Sequence, residues 1–422
     1  MPRDSLVSPY VGVVRGVQEV LAAPQDVRLV TMWCESGHAA ALTGAPIAHA
    51  GGGSGVCAED ARAAAIGEAV ERYSASFADP DALVVATARE LGPAAVDPCR
   101  FALFTARQYA RPGFPYVPFD RDTRLAWVAG RSLPGGEHAW LPAQLVHLAH
   151  DRDEPRICRA TSNGLACHDD ADEAVLRALL EVIERDAFMI TWNARLSWPR
   201  LDWNRNHALE SFVRTRLRPT GLDVRAVDLA GFWDVPCVLG VARSAVPDDA
   251  PIGVGAAAAA TVERAMEKAL DEAVRVRTWA HALRTHAAGG DDDIRDFDDH
   301  VRFYADPANA PRAAFLDASG ATRRVADVAP LPGDTARARV AAICVRLAAR
   351  STSAYVVDVT SPDVRDAGLT VVRVVAPELS ALDVEHAARL LGGERLYEEP
   401  VRLGMRAAFR EDDVNPDPHP FP

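Results

Sequence analysis

Residues 61–73, ARAAAIGEAVERY, and residues 173–187, EAVLRALLEVIERDA, carry one arrangement twice. In each, apolar residues return every three or four positions, while two glutamates and an arginine fall as Glu-x-x-Glu-Arg. At about 100° per residue, this spacing predicts two amphipathic helices. On the first, Ile66, Val70, Tyr73 and Phe77 make an apolar face, with Glu68, Glu71 and Arg72 opposite, beside Ala64. On the second, Leu176, Leu179, Leu180, Ile183 and Ala187 form the buried stripe. Glu173, Arg177, Glu181 and Glu184 line another face of that helix, with Arg185 at its margin.

Outward from these stretches the chain alternates strand-like and helix-like segments. The first helix is expected from about residue 60 to 77 and the second from about 170 to 193. A third spans about 262–286, stopping at the loop signal AAGGDDD, and a fourth about 335–350. Apolar runs of strand length occur at VGVV, VRLVTMW, LAWVAG, LDVRAVDLA, PCVLGVARS, SAYVVDVT and LTVVRVVAP. Alternation of this kind argues for an α/β fold with mixed β-sheets packed with helices. No stretch reads as a linker, so a single catalytic domain over residues 1–422 is expected, including a Pro-rich tail at 415–422.

Composition bounds the function. A net charge of −13 repels nucleic acid and anionic membrane surfaces, so neither is an expected partner. No run of about 18 apolar residues and no signal-peptide core appear, which predicts no membrane span. The seven cysteines are dispersed, with no C-x-x-C pair, as expected of reduced thiols in a cytoplasmic protein.

A single Glu-x-x-Glu-Arg is most simply a solvated helix pair worth about 0.2–0.5 kcal/mol. Two copies shift that balance. Carboxylates one turn apart repel, and a hard cation with oxygen ligands relieves the repulsion. Magnesium favours one or two carboxylates plus phosphate oxygens and water, and Arg suits bidentate phosphate contact. On chemistry alone an Mg–ATP site and a charged helix surface stand level. Lys268, Glu272 and Arg275, with Arg277 two residues on, read as an ordinary charged face. The run Gly51–Gly53 reads either as a phosphate cradle or as a turn. No Walker A, G-x-G-x-x-G, G-x-S-x-G or H-E-x-x-H pattern occurs.

Taken together, these segments resemble the YcaO family. Residues 61–73 resemble its first Ser-x3-Glu-x2-Glu-Arg motif, and Ser162-Asn163-Gly164-Leu165-Ala166 through Glu173 to Glu181, Glu184, Arg185 and Asp186 its second. Lys268–Ala273 with Arg277 is similar to its third helix, and Phe297-x-x-His300-x-x-x-Tyr304 and Val372-x-Val374-x-x-Pro377 to later blocks. The resemblance implies a YcaO-like fold that binds ATP and Mg²⁺ between its acidic helices and phosphorylates a peptide amide oxygen. Carried over by position, Glu68, Glu71, Glu181 and Glu184 hold the metal. Arg72, Asn163, Glu173 and Arg185 contact the nucleotide, with Glu272 and Arg277 at the periphery. The ending Pro418-His419-Pro420-Phe421-Pro422 matches the Pro-x-Pro-x-Pro tail of azoline-forming members. That match implies an ordered tail supporting catalysis, with His419 and Pro422 as its candidate residues.

Three positions depart from the family pattern: Ala64 replaces the usual Ser, Gly52 the usual Lys and Arg275 the usual Gln. The resemblance further implies a ribosomal precursor peptide as substrate. It also implies a separate leader-binding partner protein, because the chain begins directly with the YcaO-like region, and a fold that often pairs as a homodimer. The leading expectation is an azoline-forming cyclodehydratase. The alternatives are thioamide or amidine formation on the same fold, or a nucleotide-binding scaffold subunit favoured by Ala64 and Gly52.

Overall fold

The computed structural model describes residues 2–21, 29–37, 50–149, 153–244, 250–283 and 294–421. The expected loop after residue 286 and the tail residue Pro422 lie outside them. Five helices carry the argument: α1 (Ala58–Ser76), α2 (Ala171–Asn193), α3 (Val262–Leu283), α4 (Phe297–Ala305) and α5 (Ala336–Ala348). The first three begin or end within a few residues of the positions their apolar periodicity predicts. Thr335 caps α5 by accepting from the Ala338 N–H at 3.2 Å.

The chain forms two compact units, each assembled from separate stretches of sequence, so no linker composition marks a boundary. One comprises the N-terminal residues to Leu21, Leu29–Val182 and Gly333–Leu379. It contains the antiparallel sheet β1 (Val14–Val20), β2 (Val30–Ser36) and β3 (Ala50–Gly55). Its second sheet has the order β4-β5-β13-β14-β7 and consists of β4 (Val84–Ala86), β5 (Leu125–Leu133), β7 (Leu165–His168), β13 (Ala354–Asp358) and β14 (Thr370–Val375). Strand β6 (His138–Pro142) pairs with β5.

The other unit comprises Ile183–Pro332 and the residues from Ser380 onward. Its sheet runs β11-β10-β9-β8-β12, from β8 (Arg200–Asp202), β9 (Leu222–Asp228), β10 (Cys237–Ser244), β11 (Ile252–Ala258) and β12 (Thr322–Arg324). Strands β9, β10 and β11 are antiparallel neighbours, while β12 joins β8 in parallel. The seven cysteines are free, and among the described residues no helix is long and apolar enough to cross a membrane.

Helices α1 and α3 meet their sheets backbone to backbone. Ala61, Ala65 and Ala69 of α1, spaced four apart, are fully buried. Beneath them lies β3, where a Cβ on Gly51 would stand 2.5 Å from the Ala65 carbonyl oxygen and 2.7 Å from the Ala69 nitrogen. Ala265, Ala269 and Ala273 of α3 are buried likewise over β11. A Cβ on Gly255 would stand 2.8 Å from the Ala269 oxygen and 2.7 Å from the Ala273 nitrogen. The run Gly51–Gly53 is therefore not the turn that was one of its two readings from sequence. It is a strand whose missing side chains admit a helix. On α1 the apolar face read from large residues is likewise only part of the contact, since Phe77 remains 39% exposed.

Gly255→Val should push α3 away from β11 and destabilise the protein by about 1–3 kcal/mol, as overpacking does. Gly16→Ala on β1, where an added Cβ meets nothing within 4 Å, should stay within about 0.5 kcal/mol of wild type. Urea unfolding midpoints separate the two.

Candidate active site

Close helix–strand approach brings helical carboxylates within reach of strand N–H groups. In the first unit, Glu68 Oε2 accepts from the Gly52 N–H at 2.8 Å, and its other oxygen pairs with Arg72. Glu71 Oε1 accepts from the Cys167 N–H of β7 at 2.8 Å. Burial pushes the Glu71 carboxyl up to about 8; the Cys167 bond opposes this, while Glu181 and Glu68 add to it. Because the Gly52 N–H is bound to Glu68, it is not presented to a phosphate. Position 52 is itself exposed, and Ala64 is exposed too, so two of the three departures from the family pattern lie on the surface, with Arg275 partly buried.

Near Glu181 stands Arg373, a residue the sequence reading passed over. It is buried on β14, its Nη1 donates to the Thr161 carbonyl at 2.7 Å, and its Nε has no partner. Burial lowers its pKa to about 10, with Glu181 opposing the fall. The available signal was a lone arginine inside the valine-rich strand Thr370–Val375. Asn163 sits in the turn closed by Leu165 N–H to Ser162 O at 3.0 Å, and its Nδ2 donates to Thr161 Oγ1 at 2.7 Å. Glu173 lies in the first turn of α2, its N–H bound to Asp170 Oδ1 at 3.0 Å.

In the second unit, Glu184 Oε2 accepts from the Ala258 N–H at 3.0 Å, and its Oε1 lies 3.3 Å from Arg185 Nη1. Glu272 Oε2 accepts from the Ala256 N–H at 2.9 Å. Burial raises the Glu272 carboxyl, against the pull of Arg185 and Arg275. Arg277 is buried on α3 over Gly253. Next to Arg185, Asp186 is fully buried and held by Arg395 Nη2 at 2.8 Å, Trp233 Nε1 at 2.8 Å and the Ser380 N–H at 3.0 Å. This fixes α2 in rotation where Glu184 and Arg185 project. His419 is 2% exposed and stacked on His300, so its ring is packed inside the unit.

The two halves share a spacing. From Gly51 to Ala61, Ala65, Glu68 and Ala69 the offsets equal those from Gly255 to Ala265, Ala269, Glu272 and Ala273. In both, the residue after the glycine donates its N–H to the glutamate sixteen positions on. Glu272, peripheral in the sequence reading, thus has the same anchor as Glu68. Among the described residues, no three acidic, His or Cys side chains converge as a ready metal cage. Oxygen donors alone suit a hard cation that completes its shell with phosphate oxygens and water, so the residues present fit Mg²⁺–ATP.

Comparison with known proteins agrees. Residues 52–380 match the family described as YcaO cyclodehydratase, ATP- and Mg²⁺-binding. A heterocyclase solved in complex with substrate and cofactor superposes with a TM-score of 0.81 at 25% identity, covering 100% of this chain and 57% of that one. YcaO from Methanopyrus kandleri, bound with AMPPCP and Mg²⁺, gives 0.62 at 19% identity, covering 89% and 88%, a likeness of fold. An uncharacterized protein of Methanothermobacter thermautotrophicus is 30% identical over 239 residues, 55% of this chain and 58% of that protein. The chain thus spans under two thirds of the heterocyclase and of this relative. With a match over most of its length and the α/β fold of the solved heterocyclases, the chain belongs to the YcaO cyclodehydratase family, whose cofactors are ATP and Mg²⁺.

Proposed function

We propose that this chain is an ATP-dependent cyclodehydratase that converts Cys, Ser or Thr of a ribosomally made precursor peptide to thiazoline or oxazoline, working with a leader-binding partner protein. The observation that carries the reading is the set of helical glutamates Glu68, Glu71, Glu184 and Glu272, each fixed by a strand N–H. In this reading Glu68, Glu71, Glu181 and Glu184 hold Mg²⁺. Arg72, Asn163, Glu173, Arg185, Glu272 and Arg277 contact the nucleotide. Bound ATP supplies the phosphoryl group that turns the amide oxygen from a poor leaving group into a good one.

The protein's part is preorganisation. A carboxylate already bonded to backbone cannot swing away when the metal arrives, so little reorganisation is left for the reaction itself. Arg72 and Arg185, each beside a pinned glutamate, add positive charge where phosphate oxygens gather. Arg373, buried near enough to Glu181 to feel its charge, offsets part of that carboxylate's charge before any cation binds. Likeness to a substrate-bound heterocyclase across the whole chain supports ring formation over the alternatives.

With partner and cognate peptide, the wild-type chain should release ADP and leave the peptide lighter by one water per ring. Glu184→Gln keeps an acceptor for the Ala258 N–H, so it should fold normally yet lose about 100-fold or more of that turnover. Exchange of oxygen for sulfur in the peptide would move the reading to thioamide formation, and a complex that never consumes ATP would sink it.

The crowding at Glu71 should also appear in stability. A carboxyl raised to about 8 in the fold holds a proton that the unfolded chain, near 4.5, has released. Its contribution is therefore full below about pH 4.5 and is lost as pH rises through 8. Metal-free Glu71→Gln should show a Tm that falls less between pH 5 and 8 than wild type, by about 2–5 °C in differential scanning fluorimetry.

A further inference from the structure

The segment Asn415–Phe421 has no helix or strand, yet it is tied down along its length. Trp192 Nε1 donates to the Asp417 carbonyl at 3.1 Å, and Arg312 Nη1 pairs with the Asp417 carboxylate at 2.7 Å. Prolines 418 and 420 have no N–H to offer, so their carbonyls and those of their neighbours are the handles by which the segment can be held. Two residues of α4 take those handles. Tyr304 Oη donates to the Pro418 carbonyl at 2.7 Å, and His300 Nδ1 lies 2.8 Å from the His419 carbonyl oxygen. They stand four positions apart on α4, so both reach the same stretch. His419 is locked in turn: its ring stacks on His300 at 3.8 Å and 10°, and its Nε2 lies 2.8 Å from the Asp383 carbonyl oxygen.

What this clamp delivers is Phe421. Its side chain is fully buried, packs on Phe188 with ring centroids 4.6 Å apart, and lies under the Arg185 guanidinium, whose carbon is 4.4 Å from the ring centre. A guanidinium carbon held over a ring at this distance is attracted to the ring face and has less freedom to turn. The ring therefore restricts the directions in which Arg185 can donate.

We propose that His300 and Tyr304 are positioning residues acting through the tail: by holding the Pro418 and His419 carbonyls they seat Phe421 under Arg185, and so aim Arg185 at the phosphates of ATP. This rests on the ATP reading of Arg185 given above. It gives the His-x-x-x-Tyr pair on α4 a task that neither residue's own position in the chain suggests.

The test uses the full chain with its partner and precursor peptide, comparing Tyr304→Phe, Phe421→Leu, the double variant and Phe421→Tyr. Tyr304→Phe should lower kcat/KM for ATP by about tenfold, the scale of one lost buried hydrogen bond. Phe421→Leu should lose at least as much, and the double variant no more than Phe421→Leu alone, because both changes act through one ring. Phe421→Tyr, which keeps an aromatic face, should stay within about threefold of wild type. Multiplicative losses in the double variant, or a drop in Tm with unchanged ATP kinetics, would overturn the proposal while leaving the ATP reading intact. Absence of ATP turnover in the wild-type complex would remove the ATP reading, and this proposal with it.

Discussion

A hydrogen bond from a strand N–H to the carboxylate of a helix lying on that strand is the constraint on which the rest depends. It requires the helix to come closer than ordinary side chains allow, hence glycine below and alanine above, as at Gly51 under Ala65 and Gly255 under Ala269. A bond to a charged acceptor contributes about 1.5–3 kcal/mol, enough to hold Glu68 or Glu272 against thermal motion. Its larger effect is directional. One carboxylate oxygen is committed to the backbone, which fixes where the other can point.

Much of the secondary structure was legible because the segments concerned are strongly periodic. Helix α2 begins and ends where Leu176, Leu179, Leu180 and Ile183 place it, and the valine-rich runs became β9, β10, β13 and β14. The Gly51–Gly53 strand was not legible, since glycine favours turns when only local conformation is weighed. The alanine stripes escaped for a similar reason: alanine reads as a good helix former and gives no amphipathic signal, although here it is the contact surface. Division into two units was hidden because each is built from stretches interleaved along the chain.

At the candidate site, sequence motifs pointed to the glutamates but not to what orients them. The partners are backbone amides of Gly52, Cys167, Ala256 and Ala258, which carry no side-chain signature. Arg373 was missed because a single charged residue in a strand breaks no motif, though burial beside Glu181 makes it a counterion. The tail packs against the rest of its unit, with Phe421 at 0% exposure. His419, the tail residue with titratable chemistry, is held by His300 and Asp383 within the packed interior.

The glycine–alanine contact has one more consequence. Where two backbones touch with no long side chains between them, no rotamer can change to absorb a displacement. The helix is then indexed to the strand like a key in a slot, and sliding by one residue would bring Glu68 or Ile66 against β3 in place of an alanine. Such an interface tolerates little substitution, whereas the exposed faces of the same helices are under no such restriction. Each of these two helices is thus divided lengthwise: the side against the sheet is held by backbone geometry, and the opposite side is free of that particular constraint.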